Sequence, residues 1–284
     1  MSEPEPLKLT QGQSTEVTCE KILEEDLRAM EIAYRQLESL TFASRLTGML
    51  GRRIESAGIL IPDVLRRLAG RATNRALETA MKTALHSLRD GGLPASRTIH
   101  RESATATGAV GGAFGLASLP IELPISTILL LRAIADIARH EGEDLSQPET
   151  ALACMQVFAL GGHSPEDDFV DASYFAVRAL LARTISDAAR YVGSTAAINE
   201  TAPVLMRFMT QIAARFGLVV TQKFAAQAIP IIGAAGGAMV NYAFMEHFQA
   251  LAQGHFTIRR LERKYGQSAV HIAYINIQHT VANR

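Results

Sequence analysis

Gly108-Ala109-Val110-Gly111-Gly112-Ala113-Phe114-Gly115 and Pro230-Ile231-Ile232-Gly233-Ala234-Ala235-Gly236-Gly237 are two apolar stretches notched by glycines. Gly108 with Gly112, Gly111 with Gly115, and Gly233 with Gly237 each lie four residues apart, one turn of a helix, so each pair bares a strip of backbone on one face. Glycine costs about 1 kcal/mol per helical position relative to alanine. Several in one short segment therefore predict a close helix-to-helix or helix-to-lipid contact that offsets the penalty.

Working outward, the chain has 284 residues, of which 48% are hydrophobic. That is enough for a sizeable core and excludes a disordered chain. Formal net charge is zero, but the charges are segregated. Residues 1–40 carry four Lys/Arg against nine Asp/Glu, and residues 41–101 carry eleven against four. Residues 141–171 carry eight acids and no Lys or Arg. Such blocks either neutralise one another within the fold or, for the basic one, attract anionic lipid. Cys19 and Cys154 are too few for a disulfide framework, and the acidic, proline-containing start lacks the pattern of a secretory signal. The expectation is a cytoplasmic protein with a flexible acidic tail over residues 1–18 and a single all-α domain over 19–284.

Helical periodicity runs almost throughout. From Ile22 to Leu50, Leu23, Leu27, Met30, Tyr34 and Leu37 recur at three- and four-residue steps and predict one amphipathic helix. Pro62 opens a second, with an apolar stripe from Val64 to Leu88 and with Arg66, Arg67, Arg71, Arg75 and Lys82 mostly off it; Asp90-Gly91-Gly92-Leu93-Pro94 ends it. Ser146-Gln147-Pro148-Glu149 and Ser164-Pro165-Glu166-Asp167 read as capping boxes. That position explains the acids Glu166, Asp167, Asp168 and Asp171 through the helix dipole better than a hard-cation site does. Strand alternation bounded by turns is absent from the sequence.

Length permits a membrane span. Between Lys223 and Glu246 lie 22 uncharged residues, about 33 Å as a helix. Seven are alanine and three glycine, and the strongly apolar eight supply only about 3 kcal/mol of insertion energy. The other stretch, Ser103 to Leu131, carries Glu122 between Pro120 and Pro124 and reads as helix, break, helix. Trp is absent from the chain and few Tyr flank either stretch, so an aromatic belt is missing. Two readings stay open: a hairpin buried in a peripheral protein, and a hairpin inserted in the bilayer.

The run Gly108 to Gly115, then Leu119-Pro120-Ile121-Glu122-Leu123-Pro124, Leu131 to Arg139, Gly142-Glu143-Asp144-Leu145 and Ala151 to Gly162, resembles the EcsC family. So do Pro230 to Tyr242, Gly254-His255-Phe256 and Arg260-Leu261-Glu262-Arg263-Lys264-Tyr265-Gly266. The likeness covers roughly residues 40 to 270. It implies an association with membranes and with export, since the family takes its name from a protein encoded beside an ABC transporter. It implies no defined chemistry.

The residues themselves agree on that point. The chain has no Gly-x-Ser-x-Gly elbow, phosphate loop or His-Glu-x-x-His, and its histidines are scattered. A zinc site from His140, His163 and nearby acids is disfavoured, and no metal or cofactor is expected. The basic block lacks interleaved aromatics, which argues against nucleic acid. Glu122 is harder to dismiss, because a carboxylate in an uncharged stretch needs a partner, and Arg132 or Arg139 would provide one. Arg132 and Asp136, four apart, are spaced to pair. These groups with His163 form either a fold-fixing buried pair or a polar site at the hairpin mouth. The resulting expectation is a membrane-associated binding protein, peripheral to or inserted in the inner membrane. It would meet lipid headgroups through Arg66, Arg67, Arg71 and Arg75, or meet a membrane protein complex such as an ABC transporter. The glycine faces would also serve a homo-oligomer. The alternative is a soluble hydrolase or small-ligand-binding protein with its site at Glu122, Arg132 and Asp136.

Overall fold

The computed structural model describes residues 22–38, 41–50, 63–89, 119–162, 174–195, 198–199, 201–227 and 233–282. Among these the protein is all-α, with helices α1 (Glu24–Glu38), α2 (Phe42–Leu50), α3 (Asp63–Arg89), α4 (Leu119–His140), α5 (Pro148–Leu160), α6 (Tyr174–Ser194), α7 (Pro203–Gln227), α8 (Gly233–Tyr265) and α9 (Gln267–Ala282). The acidic tail, Cys19, Gly108, Gly111, Gly112, Gly115, the Asp90–Pro94 terminator, His163 and the second capping box lie outside the described residues.

Helix α8, 33 residues and therefore about 50 Å long, is the spine. It packs against α1, α2, α4, α5, α7 and α9, while α3 lies on α4 and α7 and α6 on α5 and α7. The short helix α5 is apolar all round, and every residue from Thr150 to Leu160 is buried, as such a pattern requires. It lies in the core together with the middle of α8. Cys154 is among its buried side chains, and burial pushes its thiol up to about 12.

Helix α1 buries Met30, Ala33, Tyr34 and Leu37, one stripe at helical spacing. It runs antiparallel to α8, because Asp26 at its start meets Lys264 while Leu37 near its end meets Gly254. A β-carbon at Gly254 would stand 2.8 Å from Leu37 Cγ and 3.0 Å from the Ala33 carbonyl oxygen, so this glycine sets the approach of the two helices. Gly162 is tighter still, 2.3 Å from the Arg215 carbonyl oxygen on the same measure. Close approach is thus seen at Gly254 and Gly162. Gly233, Gly236 and Gly237 begin α8, and Gly237 is buried.

Four sequence expectations are corrected. The single helix from Ile22 to Leu50 is two, since the Thr41 hydroxyl accepts from the Ser44 amide at 3.1 Å and caps a new start at Phe42; Leu23 and Leu27 are exposed. Residues 119–140 form one helix rather than a break at Pro124. Pro120 sits in the first turn, where no donor is lost, and Pro124 forgoes a single bond one turn later. The uncharged stretch after Lys223 is not one helix, because α7 ends at Gln227 and α8 begins at Gly233, with Pro230 in the interval. Finally, Gln147, not Ser146, caps α5, with Pro148 next to it; the Ser146 hydroxyl is drawn instead to Asp144 at 2.7 Å. The stripe of α3 holds for Ala72, Leu77, Met81 and Leu85, but Val64 is exposed.

One described helix, Pro203–Gln227, is long and apolar enough to cross a membrane, and 39% of its most apolar window is buried. It touches α2, α3, α5, α6 and α8 and carries the buried Lys223.

Candidate functional site

The turn after α4 builds the most charged part of the molecule. Gly142 takes φ of +80°, the Glu143 amide donates to the Ala138 carbonyl and the Gly142 amide to that of Arg139, which together close the helix in a Schellman motif. The flanking carboxylates are thereby aimed at α8. Glu143 receives two bonds of 2.9 Å from Arg259 and a further one from Arg263. Glu141 receives Arg260 at 2.7 Å and the amide of Gln253. From α1, Asp26 accepts from Lys264 and Tyr265 at 2.7 Å and from Arg260 at 3.3 Å. These contacts join Gly142-Glu143-Asp144-Leu145 to Arg260–Gly266, two of the segments that carry the family resemblance.

The electrostatics follow from the partners. Lys264 does most to hold the Asp26 carboxyl below its usual range, helped by Tyr265 and Arg260 against desolvation. Burial works to raise Glu143, but Arg259 and Arg263 together outweigh it, and the group is lowered. Glu141 and Glu143 are therefore neutralised within the fold by the basic end of α8, whereas Asp144 accepts from Ser146 and Gln147.

Beside this lattice, α6 brings Arg178 across to Glu262 in a two-pronged bond of 2.8 and 2.9 Å. Arg178 also donates to the Tyr174 hydroxyl at 3.3 Å, which lies 2.9 Å from His255 Nδ1. The direction of the Tyr174–Nδ1 bond follows the imidazole tautomer, and Nε2 is buried with no hydrogen-bond partner among the described residues. His255 is fully buried, and desolvation, then Arg178 and Arg259, hold its pKa well below the ordinary value. Burial likewise pushes Tyr174 far up. Arg178, Arg259, Glu262, Arg263 and Gln267 line a cleft of about 180 Å³ above these groups.

The polar site expected around Glu122 is arranged differently. Glu122 Oε1 accepts from Lys223 Nζ on α7 at 3.1 Å, and both side chains are buried, at 4% and 1% exposed. The ammonium also lies 4.6 Å from the centre of the Phe244 ring. Burial pushes Lys223 down while Glu122 opposes it. Neither Arg132 nor Arg139 is the partner. Asp136 is bonded to Arg139 at 3.0 Å, and it lies 14 residues along α4 from Glu122, about 21 Å. The structure thus does not bring Glu122 and Asp136 into one site, and His163 lies outside the described residues. A signal for the true pair was present: Glu122 is the lone charge between Glu102 and Arg132, and Lys223 the lone charge between Arg215 and Glu246. Two isolated opposite charges in apolar stretches are natural partners, because each needs the other to be buried.

Arg66, Arg67, Arg71 and Arg75 are all exposed on α3. Among the described residues no group of three or more His, Cys, Asp or Glu could hold a metal ion. The EcsC protein family model matches residues 26–261, which is most of the chain, and the chain belongs to that family. No curated protein and no solved structure matches it.

Proposed function

We propose that this EcsC-family chain is a binding protein that docks on an anionic membrane surface, without bond-making chemistry of its own. The observation that carries the reading is the parallel course of α4 and α8. Glu122 at the start of α4 reaches Lys223, which lies on Phe244 near the start of α8, while Glu141 past the end of α4 bonds Gln253 and Arg260 further along. The starts of α4 and α8, more than a hundred residues apart in the chain, therefore lie at the same end of the bundle. That end also presents Ile121, 71% exposed, with Ile125, Met239 and Tyr242. Exposed apolar side chains gathered at one end of the bundle suit the headgroup and acyl boundary. The exposed arginine face of α3 supplies attraction to lipid phosphates, at about 1 kcal/mol per residue near the surface.

Liposome flotation tests the reading. The protein should float with vesicles containing anionic lipid, less so as salt rises, and not with zwitterionic vesicles. Replacing Arg66, Arg67, Arg71 and Arg75 by Gln should weaken binding about fivefold per arginine. Equal recovery in the soluble fraction with and without anionic lipid would reject it.

A further inference from the structure

We infer that the cleft between α6 and the α8–α9 corner is a binding site for a phosphate group. Three guanidiniums, those of Arg178, Arg259 and Arg263, face a space of about 180 Å³. At about 30 Å³ per water, that holds some six waters and admits a tetrahedral oxyanion with a small substituent.

The arginines are anchored but not exhausted. Arg259 commits Nε and Nη2 to Glu143, which leaves Nη1 without a hydrogen-bond partner among the described residues. Arg263 commits Nη1 to Glu143 and Nη2 to the Glu141 carbonyl, which leaves Nε. Arg178 commits both terminal nitrogens to Glu262 and Tyr174, which leaves its Nε. Each fork is thus held rigid by a carboxylate while one nitrogen carries no bond and at least two N–H remain to be given, the arrangement that recognises an oxyanion at little entropic cost. Charge agrees. The three arginines face two carboxylates, Glu143 and Glu262, so this corner keeps one positive charge in excess.

The start of α9 borders the cleft. Gly266, at φ of +85°, turns the chain sharply, so that α9 begins at Gln267, itself a wall of the cleft. The first amides of a 16-residue helix have no partners within it and carry the positive end of its dipole. Gln267 contributes a side-chain amide as well. An apolar ligand is excluded by this lining, and a cation by the guanidiniums. The phosphate can belong to a soluble phosphoester or to a lipid headgroup, and the recognising chemistry is the same.

The test is calorimetric titration of the full chain with inorganic phosphate at constant ionic strength, chloride being the reference anion. Saturable binding is expected, weakened about tenfold in Arg263→Gln. That variant keeps Glu143 paired through Arg259. Gln267→Glu is the second variant; it puts a carboxylate at the mouth of the cleft, where the helix dipole favours it, and should abolish binding while leaving the melting temperature unchanged or raised. Competition between free phosphate and phosphatidic acid vesicles then separates the sources. If phosphate displaces vesicles, the site takes a lipid headgroup, and if it binds without displacing them, the site takes a soluble ester; both outcomes uphold the assignment. Absence of saturable phosphate binding, or equal binding by the wild type and Gln267→Glu, overturns it. Neither negative result touches the membrane reading, which depends on the arginines of α3.

Discussion

The two halves of α8 are held in the bundle by opposite kinds of physics. Its first half meets Phe42, Phe158 and Phe216 through Phe244 and Phe248, rings whose centres lie 5.0 to 6.1 Å apart. Its second half meets Asp26, Glu141 and Glu143 through Arg259, Arg260, Arg263 and Lys264. Burial of apolar area is non-directional, so the first half depends on volume and fit. Charged bonds are directional and screened by salt, so the second half fixes the rotation and register of α1 and α4 on the spine more than it adds stability. The same helix can therefore be anchored firmly at one end while the other keeps donors to offer.

The largest effect should come from the buried ion pair of Lys223 and Glu122 beside the apolar half. Lys223→Met leaves the Glu122 carboxylate buried and alone and should cost about 3–5 kcal/mol in urea unfolding, whereas adding Glu122→Leu should restore most of the loss. If the double variant is as unstable as the single, the pair is not an isolated charge couple and the contrast between the halves weakens. A smaller effect is expected where the halves join. Gly254→Ala pushes a methyl group against Leu37 and the Ala33 carbonyl and should cost about 1–3 kcal/mol, at low and high salt alike. A neutral outcome would mean that α1 does not seat as closely as described.

The smallest effect, and the one that sharpens the contrast, is in pH. Folded His255 stays neutral, while in the unfolded chain it takes up a proton below about pH 6.5. The unfolded state then binds one proton more, so stability should fall by about 1.4 kcal/mol per unit as pH drops from 6.5 towards the folded value. Asp26 and Glu143 act in a separate, lower window. Their folded pKa values are depressed, so their contribution is present above the ordinary carboxylate values and is lost as pH falls through the folded ones. Urea midpoints at pH 7, 6 and 5 should show a slope that flattens in His255→Gln. An unchanged slope in that variant would remove His255 as its source.

Helix type, the buried faces of α1 and α3 and the burial of Cys154 could be read from sequence, because the pattern that makes a helix amphipathic is local in the chain. The exposed arginines of α3 were legible for the same reason. The glycine spacing of residues 233–237 lies in a helix as expected, and among the glycines whose surroundings are described the tightest contacts fall at Gly162 and Gly254, which carry no periodic signature. Their meaning depends on what stands opposite, Arg215 and Leu37.

Charge partners were the hardest to foresee. Glu122 is a hundred and one residues from Lys223, and Glu143 more than a hundred from Arg259, so nothing local distinguishes them from nearer candidates such as Arg132. Sequence alone decided what each segment would become and which side chains had to be covered. Which segments cover one another, and therefore where charge is cancelled and where guanidinium hydrogens are left over, was decided only when the helices packed. Pairing across the bundle is a property of distances in space that the order of residues does not contain.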